Sequence, residues 1–336
     1  MIPFALQLHI TGRCNLRCLH CYIAQHSAEL SVEEIRAVLD QYEALCRQLQ
    51  DRTGQRIVPH LHVTGGEPLL HRQIGDVLSL LQQKREIFRI AIMSNGSLVD
   101  DAVIPALQKL ELKGFQLSLD GDEATHNAIR GPGDYRRVLQ AMDRLAAAGI
   151  PVRVSFTANA ANFRQFPQVA EVCRAHGVSS LWSDRYVPVP GGTLQPLSRD
   201  DVSEYLQLLQ TEHLRQENLL CGLSVENFRA LQFLTGNRAP YVCMAGEQLM
   251  AVDEYGRIYP CRRLPLPCGD IRTGDLSQVY FNSPVFQSLR RHESAQQCTD
   301  CAHRNTCRGG ARCISYAVTG SCSAADPDCP LQSPET

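Results

Sequence analysis

The chain has 336 residues, 44% of them hydrophobic and 20% charged, a composition typical of a globular protein with a large core. A net charge of −2 argues against a general polyanion binder, so we expect no nucleic-acid partner. The sequence has neither the roughly 18 consecutive apolar residues of a membrane span nor the basic and apolar regions of a signal peptide. We therefore expect a cytoplasmic protein without a membrane partner.

The fifteen cysteines are distributed unevenly along the chain. Three lie within residues 14–21 and nine between Cys243 and Cys329, whereas only Cys46, Cys173 and Cys221 lie between these groups. An odd count without an export signal argues against a disulfide framework. The clustering therefore predicts two metal-binding regions joined by a cysteine-poor scaffold.

Strand and helix patterns alternate over the first 190 residues. Apolar residues at every second position from Phe4 to Ile10 predict a first strand, and Ser31 to Glu34 form a capping box that predicts the start of a helix. Gly114, Gly149 and Gly177 lie where helices should end. Further strands are predicted at Ile57–Val63, Phe88–Met93, Phe115–Leu119, Val152–Thr157 and Ser180–Tyr186, with helices near 74–85, 100–111, 135–148 and 163–176.

Six strands with intervening helices predict an α/β fold with a parallel sheet. Six units are too few for a closed eight-fold barrel, and a doubly wound open sheet is the alternative. After Tyr186 a proline- and glycine-rich linker precedes two predicted helices, near 199–215 and 224–235. The chain then becomes turn-rich and cysteine-rich, with short strands such as Gln248–Val252 and Arg257–Tyr259, and we expect this region to need metal to fold.

The first cysteine group is Cys14-x3-Cys18-x2-Cys21, followed directly by Tyr22. Three thiolate ligands leave one iron of a cubane iron–sulfur cluster free for a small molecule. A zinc knuckle with His20 as fourth ligand is the alternative. Further along the chain, polar or glycine motifs end successive predicted strands: Gly65-Gly66-Glu67, Ser94-Asn95, and Ser118 with Asp120.

In combination and order, these motifs resemble the radical S-adenosylmethionine (radical SAM) family. The resemblance implies a partial (β/α)6 TIM-like barrel over residues 1–190, with a [4Fe–4S] cluster on Cys14, Cys18 and Cys21. Its open iron would bind SAM, which the cluster cleaves reductively to a 5′-deoxyadenosyl radical. It also implies SAM contacts from Tyr22, Gly65, Gly66, Glu67, Ser94, Asn95, Ser118, Asp120 and Arg130.

The C-terminal cysteine pattern resembles the SPASM extension, which binds two auxiliary iron–sulfur clusters, and the resemblance implies the [4Fe–4S] type. The resemblance implies a linker with helices over 191–240 and a small cysteine-rich SPASM domain over 241–336. Cys313 departs from the usual spacing. Cys268 or Cys322 is a candidate fourth ligand of the nearer cluster; the alternatives are free thiols at both positions and an open iron that binds substrate. The implied ligands are Cys298, Cys301, Cys307 and Cys329 for the distal cluster, and Cys243, Cys261 and Cys313 for the nearer one. A zinc ribbon is the alternative.

Auxiliary clusters suit oxidative chemistry because they can accept the second electron of a two-electron oxidation. The resemblance thus implies a radical SAM oxidoreductase that crosslinks a ribosomally made precursor peptide by a thioether, ether or carbon–carbon bond. It also implies an electron donor such as flavodoxin or ferredoxin. Alternatives are a sulfatase-maturing enzyme, a small-molecule or cofactor-pathway oxidoreductase, and a non-catalytic electron carrier or peptide-binding scaffold. The sulfatase-maturing reading is disfavoured by Arg262, which replaces that class's aspartate.

The general base and the means of peptide recognition are open at this point. Asp253, Asp270, Asp275 and Tyr259 are candidate bases by position only. We expect a leader peptide to be bound by a separate protein or by the barrel and SPASM surface. Four arginines, Arg262, Arg263, Arg290 and Arg291, are candidate contacts for an acidic leader, with solvated surface positions as the alternative.

Overall fold

A computed structural model describes residues 1–23, 27–218, 222–293 and 295–331. Six parallel strands lie side by side in chain order, as the sequence predicts. The carboxyl ends of parallel strands meet at one edge of a sheet, which brings the predicted strand-end motifs together. The strands are β1 (Ile2–Thr11), β2 (Ile57–Gly65), β3 (Arg89–Met93), β4 (Gly114–Ser118), β5 (Val152–Ala158) and β6 (Ser180–Arg185).

Helices connect these strands and cover the outer face of the sheet. The predicted capping box is present: Ser31 accepts a hydrogen bond from Glu34 N, and the Glu34 carboxylate accepts one from Ser31 N. The apolar face of the helix that follows is buried against β1, where Tyr42 Oη donates to Phe4 O at 2.6 Å. The helices are α1 (Val32–Thr53), α2 (Ile74–Gln83), α3 (Ile104–Gln108), α4 (Glu123–Arg130), α5 (Asp134–Ala147), α6 (Phe166–Ala175) and α7 (Arg199–Asn218).

Short strands from later in the chain extend both edges of the sheet. β7 (Ser224–Val225) pairs with β6, and β8 (Leu249–Val252) pairs in parallel with β1. β9 (Arg257–Tyr259) and β10 (Gly269–Asp270) follow β8 as antiparallel strands. Segment 249–270, which the sequence groups with the cysteine-rich region, therefore contributes to the same sheet as the barrel strands.

Two local predictions were wrong, and one helix was not predicted. The region near 224–235 forms β7 and a 3₁₀ turn at Gln232–Thr235 instead of a helix. Gly114 is the first residue of β4 and does not end a helix. Helix α4 was not predicted, because its pattern of alternating polar and apolar residues is short and lies directly after a turn motif.

The C-terminal region packs its helices against the barrel and around the cysteines. Leu276 N donates to Gln41 Oε1 of α1, and the Tyr280 ring meets Phe4 edge to face with centroids 5.3 Å apart. Across the described ranges, no helix combines the length and apolarity needed to cross a membrane. The remaining helices are α8 (Leu276–Asn282), α9 (Pro284–Arg290), α10 (Arg304–Cys307) and α11 (Arg312–Thr319).

Candidate iron–sulfur and SAM-binding site

The first cysteine group lies on the loop after β1, held against the end of β2. Gly66 N donates to Thr11 O at 2.8 Å, and Glu67 N donates to Arg13 O at 2.7 Å. A Cβ atom at Gly66 would lie 2.4 Å from Arg13 O, closer than any side chain can approach. The glycine is therefore needed for contact between the two backbones.

The Glu67 carboxylate connects the ends of β2 and β3. It is fully buried and accepts hydrogen bonds from Ser94 Oγ at 2.9 Å, Asn95 N at 2.8 Å and Leu69 N at 3.1 Å. Burial raises the pKa of Glu67 to about 7, and these donors only partly oppose that rise. These hydrogen bonds connect the Glu67 carboxylate to the backbone at both strand ends.

Asn95 lies between the cysteine loop and β3. Its Nδ2 lies 3.9 Å from Cys14 Sγ and donates to Asn15 Oδ1 at 2.9 Å. Leu16 N also donates to Cys14 Sγ at 3.4 Å. Hydrogen bonds to cysteine sulfurs are typical of iron–sulfur ligand loops, where they tune the reduction potential of the cluster. The polar surroundings of Cys14 thus fit an iron-bound thiolate.

Arg130, at the end of α4, forms a buried ion pair with Asp120. Its Nε donates to Asp120 Oδ2 at 2.6 Å, and its Nη1 lies 3.9 Å from Cys18 Sγ. Burial tends to raise the pKa of Asp120, but Arg130 and His20 outweigh this and hold the pKa below its usual value. Burial raises the pKa of the Cys18 thiol, and Arg130 opposes that rise. Arg130 is therefore not a solvated surface residue: it stabilises negative charge beside the cysteine loop.

The orientation of His20 argues against a zinc knuckle. His20 Nε2 faces Arg130 Nη2 at 3.3 Å and Asp120 Oδ2 at 4.0 Å. Throughout the described part of the chain, no three His, Cys, Asp or Glu residues are arranged around a point that would suit a single metal ion. A cubane separates its cysteine ligands more widely than a tetrahedral zinc ion does, so the loop fits a cluster better.

Tyr22 and Ser118 are less buried than the predicted SAM contacts Glu67, Ser94, Asn95, Asp120 and Arg130. Tyr22 is 42% exposed and lies edge-on to the His9 ring at 6.1 Å, so core packing does not explain it. Ser118 Oγ lies 3.3 Å from Ser155 Oγ, at the end of β4. Both side chains face the edge where the strands end and remain available to a ligand.

Four C-terminal cysteines converge on one cavity of about 420 Å³. Burial raises the pKa of Cys307 to about 12, and the neighbouring thiols Cys329 and Cys298 contribute to that rise. His303 N donates to Cys301 Sγ at 3.4 Å. Four sulfurs around a cavity of this size fit a closed four-cysteine cluster. The cavity is lined by the predicted distal ligands Cys298, Cys301, Cys307 and Cys329.

The other three predicted ligands form a second group nearer the barrel. Burial raises the pKa of Cys313 to about 12; Arg263 opposes this rise, whereas Cys261 and Cys243 add to it, so the three thiols are close neighbours. Arg263 N also donates to Cys261 Sγ at 3.4 Å. The unusual spacing before Cys313 therefore still brings it to this group.

Cys268 and Cys322 differ in their surroundings. The Cys268 thiol donates to Leu266 O at 3.1 Å and packs against the main core. Cys322 packs with Cys243 and Cys261 on a smaller cluster of apolar residues that includes Leu289. Of the two candidate fourth ligands, Cys268 already has a partner of its own.

The four candidate bases have structural partners. Asp253 accepts hydrogen bonds from Tyr259 Oη at 3.1 Å and Arg257 Nε at 2.8 Å within the β8–β9 hairpin. Asp270 accepts from Arg272 N at 2.8 Å in a turn, and Asp275 is the N-cap of α8. Each of the four candidate bases thus has a hydrogen-bonding role within the local fold.

A carboxylate that the sequence analysis missed lies closer to that loop. Glu254 is 7% exposed, follows β8, and its Oε2 lies 3.9 Å from His9 Nδ1 on β1. Burial raises the pKa of Glu254 above its usual value. The parallel pairing of β8 with β1 creates this contact, and no local motif in the sequence indicates it.

The arginines considered for an acidic leader have different environments. Arg263 pairs with Asp184 of β6, and Arg290 lies 4.5 Å over the Tyr280 ring. Arg291 is 58% exposed and pairs with Glu293. Arg262 instead extends into the barrel, where its Nη1 lies 3.3 Å from Met93 Sδ. The four do not form one surface patch, so the structure does not support the acidic-leader hypothesis.

Comparison with known families agrees with this geometry. Residues 8–162 match the radical SAM superfamily, and residues 243–302 match the SPASM iron–sulfur cluster-binding domain. The chain thus contains a radical SAM domain followed by a SPASM domain. The first domain binds SAM and a [4Fe–4S] cluster, and the SPASM domain binds auxiliary iron–sulfur clusters. This radical SAM protein therefore has its cofactor domains in the predicted order.

Relatives aligned over nearly the whole chain have more than one activity. The AdoMet-dependent heme synthase of Methanosarcina barkeri is 24% identical, with 97% of this chain and 96% of the relative covered. The mycofactocin maturase MftC of Mycobacterium ulcerans is 26% identical, with coverages of 97% and 88%. These two relatives of the chain are thus named for different activities, heme synthesis and mycofactocin maturation.

Solved structures confirm the fold. Streptococcus suis SuiB bound to S-adenosylmethionine superposes with a TM-score of 0.78 at 17% identity, covering 98% of this chain and 78% of SuiB. SuiB has also been solved with its precursor peptide SuiA. At this identity the likeness establishes the α/β radical SAM fold with a C-terminal SPASM region.

Proposed function

We propose that this protein cleaves SAM reductively and oxidises a ribosomally synthesised precursor peptide, forming a thioether, ether or carbon–carbon crosslink. The observation that carries the proposal is the pair of C-terminal cysteine groups, one around a cavity of about 420 Å³ and one beside the barrel. When bound, the cofactors supply a radical that removes a substrate hydrogen and clusters that accept the second electron.

The residue assignments belong to this proposal. Cys14, Cys18 and Cys21 hold the SAM-binding cluster, and Asn95 and Arg130 stabilise its sulfurs. The distal auxiliary cluster takes Cys298, Cys301, Cys307 and Cys329, and the nearer one Cys243, Cys261 and Cys313. The proposed SAM contacts are Tyr22, the backbone of Gly65, Gly66 and Glu67, and the side chains of Ser94, Asn95, Ser118, Asp120 and Arg130.

We also propose a different proton acceptor and keep the domain division that the sequence predicts. Glu254 replaces Asp253, Asp270, Asp275 and Tyr259 as the candidate base, because it is buried near His9 and the cysteine loop.

The barrel domain spans 1–190, the connecting segment 191–240 and the SPASM domain 241–336, with segment 249–270 of the last completing the sheet. We place the protein in the cytoplasm with flavodoxin or ferredoxin as reductant.

A second candidate function is small-molecule or cofactor-biosynthetic oxidation. It is favoured by the heme synthase relative, which aligns over 97% of this chain. A sulfatase-maturing activity is less well supported, because Arg262 provides no carboxylate at the position after Cys261.

Co-expression tests the peptide proposal. The gene would be expressed with short open reading frames from its genomic neighbourhood, and each peptide analysed by mass spectrometry. The proposal predicts the loss of two hydrogen atoms per crosslink in one peptide, and a Cys14→Ala variant should give none. An unchanged peptide mass, together with turnover of a small molecule, would instead support the second candidate. A leader-binding protein, if required, would be revealed when its addition restores turnover.

A further inference from the structure

Polar side chains form a layer on the inner face of the sheet. Gln7 of β1 is in register with His62 of β2, and Gln116 of β4 is in register with Arg153 of β5. Trp182 of β6 donates from Nε1 to Gln116 Oε1 at 3.0 Å. The outer face of the same strands is apolar and packs on the helices. A layer this polar inside a barrel needs a polar occupant.

Arg262 reaches this layer from the segment after β9. Its backbone N donates to Gln7 Oε1 at 3.4 Å, and its Nη1 lies 3.3 Å from Met93 Sδ of β3. A thioether is a weak acceptor, so this contact does not satisfy a guanidinium group. Within the described residues, no carboxylate lies at ion-pair distance from the Arg262 side chain, whereas the adjacent Arg263 pairs with Asp184.

Arg153 reaches the same space from the opposite side. Its side chain lies across Gly114 of β4, where a Cβ atom would be 2.6 Å from Arg153 Nε. Gly114 therefore makes room for the guanidinium group to lie along the sheet. Among the ion pairs formed by the described residues, none includes Arg153 either. Two half-buried guanidinium groups thus face one layer without a countercharge.

The histidines in this layer do not supply negative charge, and their own nitrogens are incompletely satisfied. His9 is 3% exposed, and neither of its ring nitrogens has a hydrogen-bond partner among the described residues; the same is true of His62 Nδ1. Burial lowers the pKa of His62 to about 4, with Arg262 and Arg153 contributing, so its ring is neutral at pH 7. Arg262 and Arg153 are thus charged groups of this layer without a carboxylate partner, and neutral imidazoles lie beside them.

We propose that Arg262 and Arg153 bind a carboxylate of the substrate inside the barrel, with His62 between them as a further hydrogen-bonding group. A carboxylate supplies the acceptors and the countercharge that the two guanidinium groups lack. This inference rests on the proposed function, in which a peptide enters the barrel, and it narrows the substrate class. The reacting residue lies next to an Asp or Glu side chain, or at the peptide's C-terminal carboxylate.

Small probes test this site on the cluster-loaded full chain. N-acetylglutamate α-amide represents a side-chain carboxylate and N-acetylglycine a terminal one; N-acetylglutamine amide and N-acetylglycinamide are their neutral counterparts. The reduced amino-terminal cluster is paramagnetic and broadens the acetyl methyl NMR signal of a probe bound in the barrel. We expect at least one acid probe to bind about tenfold more tightly than its amide counterpart.

The same titration with variants assigns the binding to the two arginines. Arg262→Gln or Arg153→Gln should weaken binding of the acid probe to the affinity of its amide counterpart. The matched exposed variant Arg291→Gln should leave the affinity for the acid probe unchanged. Equal binding of acid and amide probes, or no effect of either variant, would overturn the proposal. Displacement by inorganic phosphate at lower concentration than the acid probe would also overturn it, in favour of a phosphoryl ligand.

Two further readouts keep the result interpretable. The iron content shows whether a variant has kept its clusters. Arg262 adjoins Cys261, so if Arg262→Gln loses iron, the proposal is tested with Arg153→Gln on β5 instead. Deoxyadenosine formation from SAM is measured in the same samples without a probe. A lack of SAM cleavage would contradict the proposed function, whereas carboxylate binding without selectivity would contradict only this inference.

Discussion

Arg185, the last residue of β6, forms a buried ion pair with Asp326 of the C-terminal region. Arg185 Nη1 donates to Asp326 Oδ1 at 3.0 Å, and the two side chains are 4% and 1% exposed. Nη1 also donates to Asp328 Oδ2 at 2.7 Å, while Asp326 Oδ2 accepts from Ala311 N at 2.8 Å. A single guanidinium group thereby joins the barrel sheet to the backbone around the distal cysteines.

Removal of this ion pair should loosen the distal cysteine group. Arg185→Ala leaves Asp326 as a buried, uncompensated charge, a change that typically costs about 3–5 kcal/mol. We expect a lower unfolding midpoint in urea and loss of about four of twelve irons per chain after reconstitution. Arg291→Ala, which removes an exposed pair with Glu293, should cost less than about 1 kcal/mol. Full iron content in Arg185→Ala would contradict this role.

Glu67 should make the stability of the cluster-free protein fall as the pH rises. Its pKa is raised from 4.5 to about 7 in the folded state, so the folded protein binds a proton that the unfolded chain releases above pH 4.5. Stability should decrease between about pH 4.5 and 7 and level off above that range. Urea unfolding at pH 5 and 8 measures this, and Glu67→Gln should lose this part of the dependence. If the free energy of unfolding depended on pH identically in the wild-type and Glu67→Gln proteins, the raised pKa of Glu67 would be ruled out.

Cys268 should be dispensable for cluster binding. Its thiol donates to Leu266 O and packs against the main core, whereas Cys322 packs with Cys243 and Cys261. Cys268→Ser should therefore retain about twelve irons and an unchanged electron paramagnetic resonance spectrum. A change in the spectrum of the nearer auxiliary cluster would identify Cys268 as a ligand instead.

Cys329 should be needed for product formation but not for SAM cleavage. It lines the distal cavity, whereas the SAM-binding cysteines lie on the loop after β1. Cys329→Ala should lose about four irons, retain deoxyadenosine formation with dithionite, and stop peptide oxidation. Liquid chromatography of both products measures this, with Cys173→Ala on the buried face of α6 as a control that keeps all clusters. Undiminished peptide oxidation would argue against electron transfer through this cluster.

The sequence predicts features that depend on neighbouring residues better than those created by pairing distant segments. The Ser31–Glu34 capping box and the six parallel strands follow from local periodicity, and both are present. The Glu254–His9 contact depends on β8 joining β1 across more than 240 residues, so no local pattern indicates it. The pairing of Asp253 with Tyr259 in one hairpin likewise depends on strand pairing, which sequence position alone does not indicate.

Reductive cleavage of SAM tests the central claim most directly. The anaerobically reconstituted full chain would be mixed with SAM and dithionite, and 5′-deoxyadenosine measured by liquid chromatography. The account predicts deoxyadenosine from the wild-type chain and none from Cys14→Ala, Cys18→Ala or Cys21→Ala. Absence of deoxyadenosine from wild-type protein that carries about twelve irons would contradict it.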